Sequence, residues 1–188
     1  MARPLSEDRR KAILSAATEL IAREGLSAAT AQIAKNAGVP HGSIFTYFNT
    51  KVELVNAVYL DLKRELTDTV VAGLSGATGD REQLYEVWTT WSRWGVANPS
   101  KRRALAQLGQ SDQITGPTRQ AGYDGAAPVL EVIWRVSAQG ALAKAPRDYV
   151  GALVEALAAT TMDFMGASPE KSDAICESGF EALWRALG

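Results

Sequence analysis

Eight residues between positions 30 and 51 have the chemistry to read a polyanion: Thr30, Gln32, His41, Gly42, Ser43, Thr46, Tyr47 and Lys51. Thr30 offers a hydroxyl and an exposed helix N-terminus to a phosphate oxygen. Gln32, in the first turn of the same segment, has the reach for a phosphate or a base. His41, Ser43 and Thr46 carry groups that hydrogen-bond base edges or meet a thymine methyl. Gly42 lets a backbone come close to a ligand, and Tyr47 and Lys51 suit phosphate contacts. His41 is the only histidine of the chain, which argues against a histidine-based metal or catalytic cluster and leaves DNA contact or plain exposure in a turn.

These residues need two short helices joined by a tight turn. Ile33, Ala34 and Ala37 form one inner face, and Gly38 supplies the turn. A helix over about 41–48 follows, with Ile44, Phe45 and Phe48 expected inside and Ser43, Thr46 and Tyr47 expected outward. That is the layout of a helix-turn-helix, whose second helix enters the DNA major groove. The alternative is a bare helical corner without a ligand.

The flanking segments are helical too. Ser6 is a plausible N-cap before Glu7 and Asp8, two acids that suit the positive end of a helix. Ile13, Ala16, Ala17, Leu20 and Ile21 then make one apolar stripe, which Gly25 stops. Thr30 reads as the cap of the second helix. Thr50 with Glu53 reads as a capping box for a long fourth helix through Leu54, Val58, Tyr59, Leu62, Leu66 and Val70. A glycine-rich loop spans 73–79, and Asp80 reads as the cap of a fifth helix. A sixth starts at Ser100, and a seventh, bent near 122–128, spans about 117–139. Two more cover about 147–165 and 169–187.

A first helix ending in Arg23-Glu24-Gly25 precedes a fixed series. It runs Thr30-x-x-Ile33-Ala34-x-x-Ala37-Gly38-Val39-x-x-Gly42-x-x-Phe45-x-Tyr47-Phe48-x-x-Lys51-x-x-Leu54. This register resembles the N-terminal domain of the TetR family of bacterial repressors over about residues 10–60. The resemblance implies an all-α chain of about nine helices. It would have a three-helix DNA-binding domain at 1–50 and an effector-binding and dimerisation domain at 51–188. Pro40 stands where the family usually has a side-chain-capping residue, and Phe45 stands where it usually has Tyr.

Composition is compatible. Hydrophobic content of 46% with 22% charged residues fits a globular chain and speaks against a disordered one. The net charge is −1, but residues 1–64 carry +3 and the remainder −4, so the basic excess lies with the motif. No run of about 18 apolar residues suggests a membrane span. The first eight residues lack the apolar core of a secretory signal, so a cytoplasmic location is expected. Cys176 is the only cysteine, which excludes an internal disulfide.

Beyond residue 80, large flat or adaptable side chains accumulate: Tyr85, Trp88, Trp91, Tyr123, Trp134 and Met162. They line an effector pocket for a flat or hydrophobic small molecule, or they fill an ordinary core. The last two helices are apolar on wide faces. Leu153, Leu157, Phe180, Leu183 and Trp184 are the candidates for a homodimer interface, against packing inside one subunit. The partners implied are a double-stranded, palindromic DNA operator, a small-molecule effector and a second copy of the chain. No membrane, metal or cofactor is expected. An enzyme is the competing class, but no phosphate-binding glycine loop, metal-ligand cluster or nucleophile with a histidine partner is present. A DNA-binding module without an effector is the third class.

Overall fold

The computed structural model describes residues 6–74 and 76–188. Leu5, at the expected lead-in to the first helix, and Ser75, in the expected 73–79 loop, lie outside the described residues. Among those described, all regular structure is helical. The α-helices are α1 (Glu7–Glu24), α2 (Thr30–Asn36), α3 (His41–Tyr47), α4 (Lys51–Gly73) and α5 (Asp80–Ala97). They continue as α6 (Pro99–Gly109), α7 (Gly116–Gly125), α8 (Ala127–Ser137), α9 (Arg147–Ala167) and α10 (Ser172–Leu187). The single bent helix expected over 117–139 is two helices. Ala126 leaves helical geometry between them, and Pro128 falls in the first turn of α8, where its missing N–H costs nothing.

Local capping follows the sequence in part. The Ser6 hydroxyl accepts the Arg9 N–H at 3.4 Å, and Gly25 ends α1 at φ 75°. The Thr50 hydroxyl accepts the Glu53 N–H at 3.0 Å, while the Glu53 carboxylate reaches one residue further back, to the Asn49 N–H at 2.8 Å. Two expected caps are corrected. Thr30 is the first helical residue, after Ala29, and its side chain makes no cap. Asp80 likewise stands inside α5, where its carboxylate accepts from Arg135 Nε at 2.7 Å and from Gln139 Nε2 at 3.3 Å.

The chain divides into two compact units. The first holds Met1–Arg64 with Pro99–Asp124, and the second holds Glu65–Asn98 with Gly125–Gly188. The boundaries differ from a simple cut between residues 50 and 51, because α6 packs on α1. Ala104 and Leu108 of α6 sit fully buried in the same core as Ile13, Ala17 and Leu20 of α1. Asn56 ties the segment after α6 to α4. Its side-chain amide donates to the carbonyls of Val52 and Gln113, each at 2.7 Å, and accepts the Thr115 N–H at 3.0 Å. Arg119 donates to the carbonyls of Gly109 and Ser111, satisfying the end of α6. At Gly122 a Cβ would lie 3.1 Å from the Tyr59 ring, so α7 approaches α4 closely there.

The core of the second unit centres on Trp88 and Phe180. The Trp88 indole N–H donates to the Cys176 carbonyl at 2.9 Å, which joins α5 to α10 and pairs this buried donor. A Cβ at Gly179 would stand 2.7 Å from the Trp88 ring and 2.6 Å from Thr161 Oγ1, so α5, α9 and α10 converge at a point that admits only glycine. By length and composition, α9 is apolar enough to cross a membrane. Val150, Val154, Ala158 and Met162 on one of its faces are instead buried within the unit.

Candidate nucleic-acid interface

The two short helices α2 and α3 meet through small and aliphatic residues. Ile33 and Ala34 of α2 and Ile44 of α3 are buried together with α1. Gly38, at φ 66°, adopts the left-handed turn that a side chain would resist, and the next residue returns its N–H to Ala34 at 3.0 Å. The turn therefore sets α3 on α2 by local geometry.

The opposite face of α3 is open. His41, Gly42 and Thr46 are exposed, and Ser43 is half-buried. A Cβ at Gly42 would meet nothing within 4 Å among the described residues, so no contact there demands a glycine. Thr30 Oγ1 lies 3.2 Å from His41 Nε2, which links the first residues of α2 and α3 by one hydrogen bond. Gln32 donates along its own helix to Asn36 Oδ1 at 2.9 Å. Thr46 Oγ1 leans back toward the Gly42 carbonyl at 3.5 Å, a weak contact that an external acceptor replaces easily.

Three findings at this face were not legible in the sequence pattern. Phe45, expected inside with Ile44 and Phe48, is 44% exposed while its two neighbours are buried. Its ring meets the His41 ring edge-on, with centroids 5.7 Å apart and planes at 71°. The Tyr47 hydroxyl accepts the Ser6 N–H at 3.1 Å. Lys51 is half-buried and donates to the Leu26 carbonyl at 2.7 Å, so one of its three N–H groups holds the fold. The 3.6-residue period places Phe45 between the inner and outer faces, and only the packing of α1 and α2 decides which side it takes.

The residues expected at an effector pocket differ in their surroundings. Trp88 and Met162 are core, and the Trp88 N–H is already satisfied within the chain. Tyr85 is half-buried, edge-on to Phe180 at 4.8 Å, and a hydrogen bond with Glu177 holds its phenol above the ordinary pKa. Trp91 and Trp134 are half-buried, and the Arg147 guanidinium covers Trp134 at 5.7 Å from the ring centre. Tyr123 belongs to the first unit and is 56% exposed.

The proposed dimer residues divide as well. Phe180 and Leu183 are 0% and 3% exposed inside the core of their own chain, which corrects their assignment to an outer face. They complete the packing of α10 against α5 and α9. Leu153 is 39% exposed on α9, and Leu157 is half-buried. Trp184 is half-buried beneath the Arg81 guanidinium, 5.7 Å from its ring, where Arg81 also pairs with Glu181.

Residues 13–58 match the family model described as bacterial regulatory proteins, tetR family. Over 54 residues the chain is 43% identical to the HTH-type transcriptional regulator SrpR of Pseudomonas putida. The alignment covers 28% of this chain and spans only 25% of that protein's length. The fold is similar to a tetR family transcription regulator from Shewanella sp. PV-4, with TM-score 0.84, 25% identity, and coverage of 95% of this chain and 97% of that one. It is also similar to the regulator FadR of Bacillus subtilis, solved in complex with stearoyl-CoA. There the TM-score is 0.70 at 17% identity, with 95% and 99% of the two chains covered.

Proposed function

We propose that this chain, a member of the tetR family of bacterial regulatory proteins, is a sequence-specific DNA-binding repressor that a small hydrophobic or aromatic effector releases from its operator. The observation that carries the DNA reading is the open face of α3. His41, Gly42 and Thr46 present polar edges and bare backbone over a buried Ile44, with Tyr47 and Lys51 at the flank for phosphates. Thr30, Gln32 and Ser43 complete the contact set, and the chain acts where DNA is, in the cytoplasm.

The functional unit in this reading is a homodimer. A helix-turn-helix protein gains affinity by placing two recognition helices in successive major grooves of a palindromic site. Leu153 and the half-buried Leu157 and Trp184 supply the apolar contact between copies, together with exposed Tyr149 and Phe164 on α9. The effector binds in the second unit, near Tyr85, Trp91 and Trp134. The Bacillus subtilis protein of the same fold holds an acyl-CoA, which supports a small-molecule ligand class. Effector and DNA then oppose each other by the same factor in both directions.

The test starts from the full chain and a random duplex library. Enrichment of a palindromic sequence is expected, with binding that weakens steeply as salt rises. Acyl-CoAs and flat aromatic compounds are then titrated against the complex, with DNA release and tryptophan fluorescence as readouts. Failure to enrich any duplex overturns the DNA reading. Enrichment without release by either compound class overturns the effector reading as stated.

A further inference from the structure

Phe45 is a large apolar ring 44% exposed on a helix whose remaining open positions are polar. Exposing such a ring forfeits burial, and the buried Ile44 beside it, with Phe48 just past the helix, shows that burial is available here. The ring is also held in place. His41 packs edge-on against it at 5.7 Å, and Thr30 Oγ1 holds the imidazole at 3.2 Å from its Nε2. The result is a short series, Thr30 to His41 to Phe45, running from the start of α2 onto the open face of α3. A held apolar ring among hydrogen-bonding groups matches the surface of an A·T pair in the major groove, where a thymine methyl stands beside polar base edges.

We infer that Phe45, positioned by His41 and Thr30, is a specificity-determining residue that reads the C5-methyl group of a thymine. This deepens the DNA-binding reading above and rests on it. The occupant is a thymine methyl because the ring is continuous with the polar positions of the same face, His41 on one side and Thr46 on the other. The His41 contact favours one placement of the ring, so the preference is for one position of the operator rather than for A·T-rich DNA in general.

The experiment uses the full chain on its own selected duplex, with each thymine replaced in turn by deoxyuridine, which lacks only the methyl group. The wild type is expected to lose about fourfold in affinity at one thymine or one symmetry-related pair, the amount that burial of a single methyl supplies. Phe45→Ala is expected to bind more weakly and to show no loss at that same position. Phe45→Leu, which keeps an apolar contact, is expected to retain part of it. His41→Ala and Thr30→Ala are expected to reduce the methyl dependence while leaving Phe45 in the chain. Circular dichroism of each variant confirms that α3 is intact. Indifference of the wild type to every thymine replacement overturns the inference, as does an undiminished methyl dependence in Phe45→Ala. Both outcomes leave the DNA reading standing, whereas failure to select any duplex overturns the DNA reading itself.

Discussion

The Tyr47 hydroxyl accepts the backbone N–H of Ser6 at 3.1 Å, joining the end of α3 to the start of α1 across 41 residues of sequence. The bond uses the acceptor side of the phenol and leaves its proton as the donor toward a phosphate. Tyr47→Phe is therefore expected to act twice. It lowers stability by about 0.5–1.5 kcal/mol, the usual net value of one hydrogen bond, read by urea unfolding. It also weakens binding to selected and random duplexes alike, because phosphate contacts carry no sequence information. An unchanged urea midpoint would remove the Ser6 bond from the account of stability.

Lys51 has a similar double role, and its charge separates the parts. Its ammonium donates to the Leu26 carbonyl at 2.7 Å, at the turn that follows α1. Lys51→Met keeps the apolar stem and removes the donor. Stability is expected to fall by about 1.5–3 kcal/mol, as for a charged hydrogen bond. The logarithmic salt slope of DNA binding is expected to flatten by about 0.9 per half-site, one counterion fewer for each copy of the chain. A fall in stability with an unaltered slope would confine Lys51 to the fold.

Gly179→Ala reverses the normal helix preference. Alanine is usually better in a helix by about 0.8–1.0 kcal/mol. Here the new Cβ would stand 2.6 Å from Thr161 Oγ1 and 2.7 Å from the Trp88 ring. A net loss of about 1–3 kcal/mol is expected from overpacking, measured by thermal denaturation. Thr161→Ala in the same chain should restore part of the loss, and failure to do so would place the strain elsewhere.

Leu153 and Leu183 make a paired test of the assembly. Leu153 is exposed on α9, so Leu153→Arg is expected to yield a folded monomer by light scattering with native circular dichroism. Leu183 is buried, so Leu183→Arg places an unpaired charge in the core and is expected to unfold the second unit. A dimer that survives Leu153→Arg would move the interface to another face.

Burial pushes the Cys176 thiol pKa up. The folded chain then holds this proton more tightly than the unfolded chain does. The stabilisation is complete below the unfolded thiol pKa of about 8.5 and is lost as pH rises through the higher folded value. Wild type is expected to lose stability on that alkaline side faster than Cys176→Ala, in urea titrations at a series of pH values. Thiol labelling of the native chain at neutral pH should be slow and should accelerate on unfolding. Rapid native labelling would contradict the buried position.

Much of this architecture is written locally in the chain. The stripe from Ile13 to Ile21, Gly25, Gly38 and the Thr50–Glu53 pair each specify an element boundary through a period or a backbone conformation. Such signals need only neighbours in sequence, so α1 to α4 are legible directly. The split between α7 and α8 is less so. Gly122, Gly125 and Pro128 together signal a bend, and only the backbone at Ala126 turns that bend into a break.

Which face of each helix lies inside depends on what packs against it, and that is not a local property. Periodicity marks Phe45, Phe180 and Leu183 as apolar without saying which neighbour covers them. The tertiary structure leaves Phe45 exposed beside His41 and gives Phe180 and Leu183 to the core of their own chain. It returns α6 to α1, with Ala104 and Leu108 buried beside Ile13, and it sets Tyr123 in a different unit from Trp88. The sequence by itself determined the helices and the chemistry they carry, because hydrogen-bonded turns and caps close within a few residues. The tertiary structure alone decided which groups face outward, because burial is a competition among helix faces distant in sequence.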